Sequence, residues 1–318
     1  MIKVRDIAHV RFRAPDMELG EKFLLDFGFV KSASTENAIY FRCAGENHHA
    51  YVLERGEPAF LGFALEVADR SDLVALTALD GASGIEPTGE PGGGERVVLH
   101  DPDGLRIEIV HGIAKVPPME MREPLTLNYA HAKARTNATQ RPAIGAAQMK
   151  RLGHVGLTVT NIQATIDWYS KALGMILSDA VKAGPQTVIA FVGCGFPGVY
   201  SDHHTLALFQ GPAAEFGHAA FEVQDFDAVG LGHYHMKRGQ WQHAWGIGRH
   251  TLGSQIFDYW LDPWGRMIEH FADGDLFDEH HPSAHHSVES TPIEIWGPPL
   301  PAGKGPPMDL PPDVAHGG

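Results

Sequence analysis

Leu152-Gly153-His154-Val155-Gly156-Leu157-Thr158-Val159 alternates as a strand does, and Ile7-Ala8-His9-Val10-Arg11-Phe12, near the start of the chain, alternates in the same way. Each is followed by an amphipathic helical pattern. The first runs from Met17 to Phe27 with Phe23, Leu24 and Phe27 on one face, and the second from Ile162 to Leu173 with Ile166, Tyr169 and Leu173. Glycine stops close both, Gly28 and Gly174. The match continues through His48-His49-Ala50-Tyr51-Val52-Leu53 against His203-His204-Thr205-Leu206-Ala207-Leu208, then Gly62-Phe63-Ala64-Leu65-Glu66-Val67 against His218-Ala219-Ala220-Phe221-Glu222-Val223. It ends on Asp101-Pro102-Asp103-Gly104 ahead of Glu108 and Asp262-Pro263-Trp264-Gly265 ahead of Glu269. The separation of matched positions grows from 145 (His9 to His154) through 155 (His49 to His204) and 156 (Gly62 to His218) to 161 (Glu108 to Glu269), as small loop insertions accumulate. One structural unit is therefore written twice.

Each half divides again into strand, helix and two or three further strands, beginning near Ile2, Leu61, Lys150 and Gly217. The predicted fold is α+β: two domains, each of paired βαβββ modules, with curved, mainly antiparallel sheets and helices outside. Residues 1–115 form the expected N-terminal domain and 149–272 the C-terminal, metal-binding one. Between them, 116–148 carries Pro117, Pro118, Pro124 and Pro142 without a period and reads as a linker. Residues 273–318, rich in Pro, His and acidic side chains, read as a tail without regular structure over most of its length.

Composition narrows the function classes. A chain of 318 residues with 43% hydrophobic and 20% charged residues fits two soluble globular domains. A formal charge of −14 argues against a nucleic-acid surface, which needs clustered Lys and Arg. No apolar run approaches the roughly 18 residues of a membrane helix, and the first residues lead straight into a strand pattern without signal-peptide features. A cytoplasmic address is the expectation. Cys43 and Cys194 are too few for a disulfide scaffold and read as buried, reduced thiols. Expected partners are small and uncharged or weakly acidic. Twenty histidines, clustered near strand starts and in the tail, direct attention to metal and proton chemistry.

Only the second copy keeps three potential ligands at matched positions, His154, His218 and Glu269, where the first offers His9, Gly62 and Glu108. Glycine has no donor atom, so the first copy reads as scaffold. Two imidazoles and a carboxylate on one face of an octahedral ion leave the other face open, the arrangement of non-heme Fe(II) enzymes that bind substrate and oxygen together. Strand alternation places Ile268 and His270 on the face opposite Glu269. For any single His or Glu the competing reading is a hydrogen-bonded or solvated side chain. His280, His281, His285 and His286 read as a solvated polar tail.

These residues resemble the vicinal oxygen chelate superfamily and, within it, the type I extradiol ring-cleaving dioxygenases, over nearly all of the chain except the tail. The resemblance is most specific at Gly248-Arg249-His250, Tyr259, Asp262-Pro263-Trp264-Gly265 and Glu269. Asp258 departs from it, since the family usually has an aliphatic or aromatic residue there. The resemblance implies Fe(II), with Mn(II) as the occasional alternative, and a catechol-like substrate and O2 as partners. It also implies a homo-oligomer, with His154, His218 and Glu269 as metal ligands and His204, His250 and Tyr259 as the acid, base and hydrogen-bonding groups. The expected activity is meta (extradiol) cleavage of a catechol or trihydroxylated ring. His203 is expected to face away from His204. Phe196, Trp245, Phe257 and Trp264 are candidate pocket walls, with plain core as the competing reading. Two rival functions share the scaffold: a glyoxalase-type metal-dependent lyase or isomerase, and a metal-free protein that sequesters small aromatics.

Overall fold

A computed structural model describes residues 2–300. The N-terminal half runs β1 (Val4–Ala14), α1 (Met17–Phe27), β2 (Val30–Ser34), β3 (Ala38–Arg42) and β4 (Tyr51–Arg55), then β5 (Ala59–Val67), α2 (Arg70–Leu76), β6 (Glu86–Pro87), β7 (Glu95–His100) and β8 (Arg106–His111). The C-terminal half begins with β9 (Met149–Val159), α3 (Ile162–Leu173), β10 (Ile176–Ala183), β11 (Gln186–Gly193), β12 (Ser201–Asp202) and β13 (Leu206–Gln210). It continues with β14 (Glu215–Val223), α4 (Phe226–Arg238), β15 (Gln242–His250), β16 (Ile256–Leu261) and β17 (Met267–Ala272). Three short strands follow: β18 (Leu276–Phe277), β19 (Ala284–Ser287) and β20 (Glu294–Trp296).

The fold is thus α+β, and the strand–helix–strands order recurs four times. Local chemistry sets the helix limits. Asp16 and Asn161 accept hydrogen bonds from the backbone N–H of Leu19 and Ala164, three residues on, and Gly28 and Gly174 end the helices at φ 121° and 67°. The buried stripe Ile162, Thr165, Ile166, Tyr169, Leu173 has helical spacing, so α3 can cover only one face of a sheet.

In each module the first strand pairs parallel with the last: β1 with β4, β5 with β8, β9 with β13 and β14 with β17. Two modules then join antiparallel through their first strands, β1 with β5 and β9 with β14, giving sheets ordered β2-β3-β4-β1-β5-β8-β7-β6 and β19-β10-β11-β13-β9-β14-β17-β16-β15-β20. The two halves share one core. Phe27 of α1 stacks on His270 of β17 at 3.8 Å between ring centroids, and Phe12 meets Phe216 edge-on at 5.0 Å. Phe12, Phe27, Phe221 and Trp260 are all fully buried, each worth roughly 1.5–3 kcal/mol or more of transfer free energy.

Residues 116–148 contain no helix or strand and are held by the ion pair of Arg122 with Asp225. Cys43 and Cys194 are free and buried, as expected. No helix among the described residues is long and apolar enough to cross a membrane.

Most of 273–300 lies outside helices and strands, and the three short strands β18, β19 and β20 are the exceptions. β19 adds parallel to β10 and β20 antiparallel to β15, so the tail covers both edges of the second sheet. Edge strands present unpaired N–H and C=O groups, and strands of three or four residues can satisfy them without the hydrophobic period that sequence reading relies on. The rest of the expected tail, 301–318, lies outside the described residues.

Candidate metal centre

Strand register brings the three expected ligands together. His154 on β9 stands opposite Ala220 on β14, Ala220 opposite Glu269 on β17, and Glu269 opposite Tyr259 on β16. Residues aligned across adjacent strands share a face, so one row across the sheet carries Tyr259, Glu269 and His154. His218, two residues before Ala220, points to that same face. His270 points to the other, where it bonds the carbonyl of Phe27 at 2.8 Å.

The donor atoms converge. His154 Nε2 lies 3.1 Å from His218 Nε2, and Glu269 Oε2 lies 3.4 Å from the first and 3.5 Å from the second. Donors about 2.1 Å from a shared ion, at right angles to one another, stand about 3 Å apart. Glu269 is fully buried and neither of its carboxylate oxygens has a hydrogen-bond partner. A carboxylate in that position costs several kcal/mol unless a cation compensates it. Burial raises its pKa, and burial holds His154 and His218 down to about 3, so both imidazoles offer lone pairs at neutral pH. The donor set and the partnerless oxygens fit a divalent ion.

These depressed values set a pH dependence for the metal-free protein. His49 is likewise held at about 3 by burial. All three rings stay neutral when folded but take up a proton near pH 6.5 when unfolded, so the unfolded state binds more protons below that pH. The unfolding free energy is expected to fall from pH 6 to pH 4 by roughly 1 kcal/mol per pH unit for each ring. Urea midpoints across that range measure it, and a flat profile contradicts neutral burial.

The first copy exchanges large for small. His218 pairs with Gly156, while at the matched positions Gly62 pairs with Arg11. A Cβ on Gly156 would come within 2.3 Å of the His218 ring, so the glycine makes room for that imidazole. At Gly62, with φ +120°, a Cβ would meet the Arg106 carbonyl oxygen at 2.1 Å, so the missing ligand has no place there. Instead, Arg11 Nε lies 3.5 Å from Glu108, the counterpart of Glu269, and Arg11 also binds Glu54 and Glu90 at 2.8 and 2.5 Å. A guanidinium neutralises that carboxylate.

The candidate metal site opens on a cavity of about 280 Å³ whose lining includes His204, His250 and Tyr259. Tyr259 Oη lies 2.9 Å from His250 Nε2, and His250 Nδ1 lies 3.3 Å from the Ile293 carbonyl. His204 packs on His154 at 4.2 Å between ring centroids, and its Nδ1 meets His203 Nδ1 at 2.9 Å. His203 does not line the cavity and is buried, but its Nδ1 is turned to His204 where the expectation was that it would face away. Two further expectations need correction. None of Phe196, Trp245, Phe257 and Trp264 lines this cavity. Trp245 and Phe257 pack behind His250, Phe196 borders a separate cavity and Trp264 lies against Arg266. Phe191 and Phe209 form the aromatic wall, together with Val288 and Ile293 of the tail. His286 is not solvated tail: its Nε2 bonds Asp179 at 2.7 Å.

A family model for the Glyoxalase/Bleomycin resistance protein/Dioxygenase superfamily matches residues 151–270. Metapyrocatechase 2 of Cupriavidus necator is 33% identical over 304 residues, covering 94% of this chain and 90% of that protein. The chain belongs to the type I extradiol ring-cleaving dioxygenases. An iron-dependent extradiol dioxygenase of Rhodococcus jostii is 26% identical over 93% of this chain and 97% of its own length. Among solved structures, the Mn(II)-bound glyoxalase from Novosphingobium aromaticivorans is 25% identical with a TM-score of 0.81, covering 98% of this chain and 97% of that one.

Asp258, where the resemblance led to the expectation of an aliphatic or aromatic residue, lies on the face opposite Tyr259. It is fully buried and accepts from His233 at 3.0 Å, His243 at 2.8 Å and the Trp260 indole at 2.6 Å. Burial opposes its charge, but the histidine hydrogen bonds outweigh burial and lower its pKa. Its oxygens are saturated where those of Glu269 are bare. Gly156→Ala in this dioxygenase is expected to push His218 aside and weaken metal affinity about 10- to 100-fold. Titration of metal-free protein with Fe(II) reads it, and wild-type affinity would show that the ring can yield.

Proposed function

We propose that this dioxygenase holds one Fe(II) between His154, His218 and Glu269, and that its substrate is a catechol whose ring substituents are uncharged and apolar. The observation that supports the metal is the pair of buried, partnerless Glu269 oxygens facing two neutral imidazoles. The observation that supports the substrate is the wall opposite them. Val181, Ile189, Phe209, Leu252, Val288 and Ile293 line it, and among the described residues no Lys, Arg, Asp or Glu does. A substituent carboxylate entering that space would lose its hydration without gaining a cation.

Bound at these three donors, the ion supplies a Lewis acid that favours ionisation of a catechol hydroxyl and a redox centre for work with O2. The protein's groups handle the protons. His250 directs Nδ1–H to the Ile293 carbonyl, so its Nε2 accepts the Tyr259 hydroxyl proton. The Tyr259 oxygen therefore presents lone pairs to a substrate hydroxyl, and once that hydroxyl is ionised the Tyr259 O–H can turn to the resulting oxygen. Burial keeps Tyr259 protonated, with its pKa raised well above 10. A buried donor aimed at developing charge is worth more than the same donor in water. His204, whose Nδ1 is engaged, keeps Nε2 for proton transfer on the cavity side.

The test is oxygen uptake by anaerobically iron-loaded protein after addition of catechols in air-saturated buffer. A yellow ring-opened product carrying both atoms of 18O2 is expected with 4-methylcatechol, and kcat/KM for 3,4-dihydroxyphenylacetate is expected at least about tenfold lower. Silence across a broad catechol panel contradicts the reaction, and equal rates with the carboxylated ring contradict the substrate class.

A further inference from the structure

Behind His204 the hydrogen bonds continue outward. His204 Nδ1 lies 2.9 Å from His203 Nδ1, His203 Nε2 lies 2.7 Å from Asp179 Oδ2, and Asp179 Oδ1 lies 2.7 Å from His286 Nε2. His203 and Asp179 are buried, and His286 is half-buried. Asp179 comes from β10 and His286 from the tail strand β19, whose register sets Ala284 beside Asp179 and His286 beside Val181. No group of the reaction cavity belongs to this chain of contacts except His204 itself.

The order of protons follows from what each group can do. An ionised carboxylate only accepts, so both imidazoles donate to Asp179 through Nε2–H. A neutral His203 with its proton on Nε2 has a bare Nδ1, and the 2.9 Å contact is then a hydrogen bond only if His204 donates Nδ1–H. That leaves the lone pair of His204 on Nε2. The nitrogen that a carboxylate or second ring engages decides which nitrogen works. Burial opposes charge on Asp179, but the bonds from His203 and His286 outweigh it and lower its pKa.

The first copy serves as an internal control. His48 Nδ1 and His49 Nδ1 make the same contact at 3.0 Å. Ala33, opposite Tyr40, stands where Asp179 stands opposite Phe191, and the one side-chain hydrogen-bond contact of His48 besides His49 among the described residues is Ser32 Oγ, 3.5 Å from the same Nδ1 and not from Nε2. Among the described residues, the copy that has glycine in place of His218 has no carboxylate hydrogen-bonded to its histidine pair, and none of its strands pairs with the tail.

We propose that Asp179 and His286 are positioning residues for ring cleavage, acting through His203 to hold His204 in the tautomer whose bare Nε2 faces the substrate. This inference rests on the reading of His204 as the proton-transfer group. Asp179→Ala, which installs the residue of the first copy, is expected to lower kcat about 10- to 100-fold while KM for catechol and iron per chain stay within about twofold. Asp179→Glu recovers part of the loss, and His286→Leu, at the half-exposed end, gives a smaller fall in kcat. Nitrogen-15 NMR of histidine-labelled, zinc-loaded full-length protein reads the tautomer without turnover: His204 carries its proton on Nδ1 in the wild type and is mixed in Asp179→Ala. A wild-type His204 protonated on Nε2 overturns the proposal. So does an unchanged kcat in His286→Leu, the variant that decides if Asp179→Ala does not fold, or a kcat loss that merely tracks lost iron. A wild type that shows the expected tautomer but opens no catechol overturns the dioxygenase reading and leaves the relay standing.

Discussion

A Glu269→Ala protein is expected to fold, to retain below about one tenth of the wild-type iron, and to consume no oxygen with any catechol. The two imidazoles that remain are neutral, and the charge that balances a divalent ion is gone. The same change should stabilise the metal-free protein. Wild-type Glu269 is buried with both oxygens partnerless, and a carboxylate in that setting costs several kcal/mol when nothing compensates it. The metal-free variant is therefore expected to melt above the metal-free wild type, whereas the iron-loaded wild type melts above both. Calorimetry of the three samples checks this. A metal-free variant less stable than the metal-free wild type would mean that Glu269 is held by something other than an ion.

His204→Phe is expected to keep iron and substrate binding and to lower turnover by about two to four powers of ten. The ring sits 4.2 Å from His154 and 4.9 Å from Phe191, so phenylalanine replaces its packing closely and removes only the nitrogens. Anaerobic catechol binding, followed optically, should match the wild type while oxygen-dependent product formation falls. Unchanged turnover would remove His204 from the reaction.

Much of this architecture was legible because it is periodic. Strand alternation and helix spacing gave α1 and α3 at the bounds the structure has, and the repeat itself placed His154, His218 and Glu269 at equivalent strand positions. Their convergence needed the parallel pairing of β14 with β17 inside one module and the antiparallel pairing of the first strands β9 and β14 between modules. What lay beyond reach is aperiodic. β19 and β20 are held by edge hydrogen bonds, which leave no pattern in side chains, so the walls contributed by Val288 and Ile293 and the contact of His286 with Asp179 were hidden. The exchange of Gly156 and His218 for Arg11 and Gly62 was visible as four letters, but its meaning depends on cross-strand register. Asp258 stood out in the sequence as a departure, and its partners His233 and His243 come from α4 and β15, distant enough along the chain that no spacing rule joins them.

The most direct test is a crystal structure of iron-loaded protein soaked anaerobically with 4-methylcatechol, with anomalous scattering recorded at the iron edge. The expected result is one strong peak per chain, about 2.0–2.2 Å from His154 Nε2, His218 Nε2 and a Glu269 oxygen, with both catechol oxygens on its open side toward Tyr259. Iron found instead among His233, His243 and Asp258, or a catechol bound with no metal between it and Glu269, would contradict the assignment.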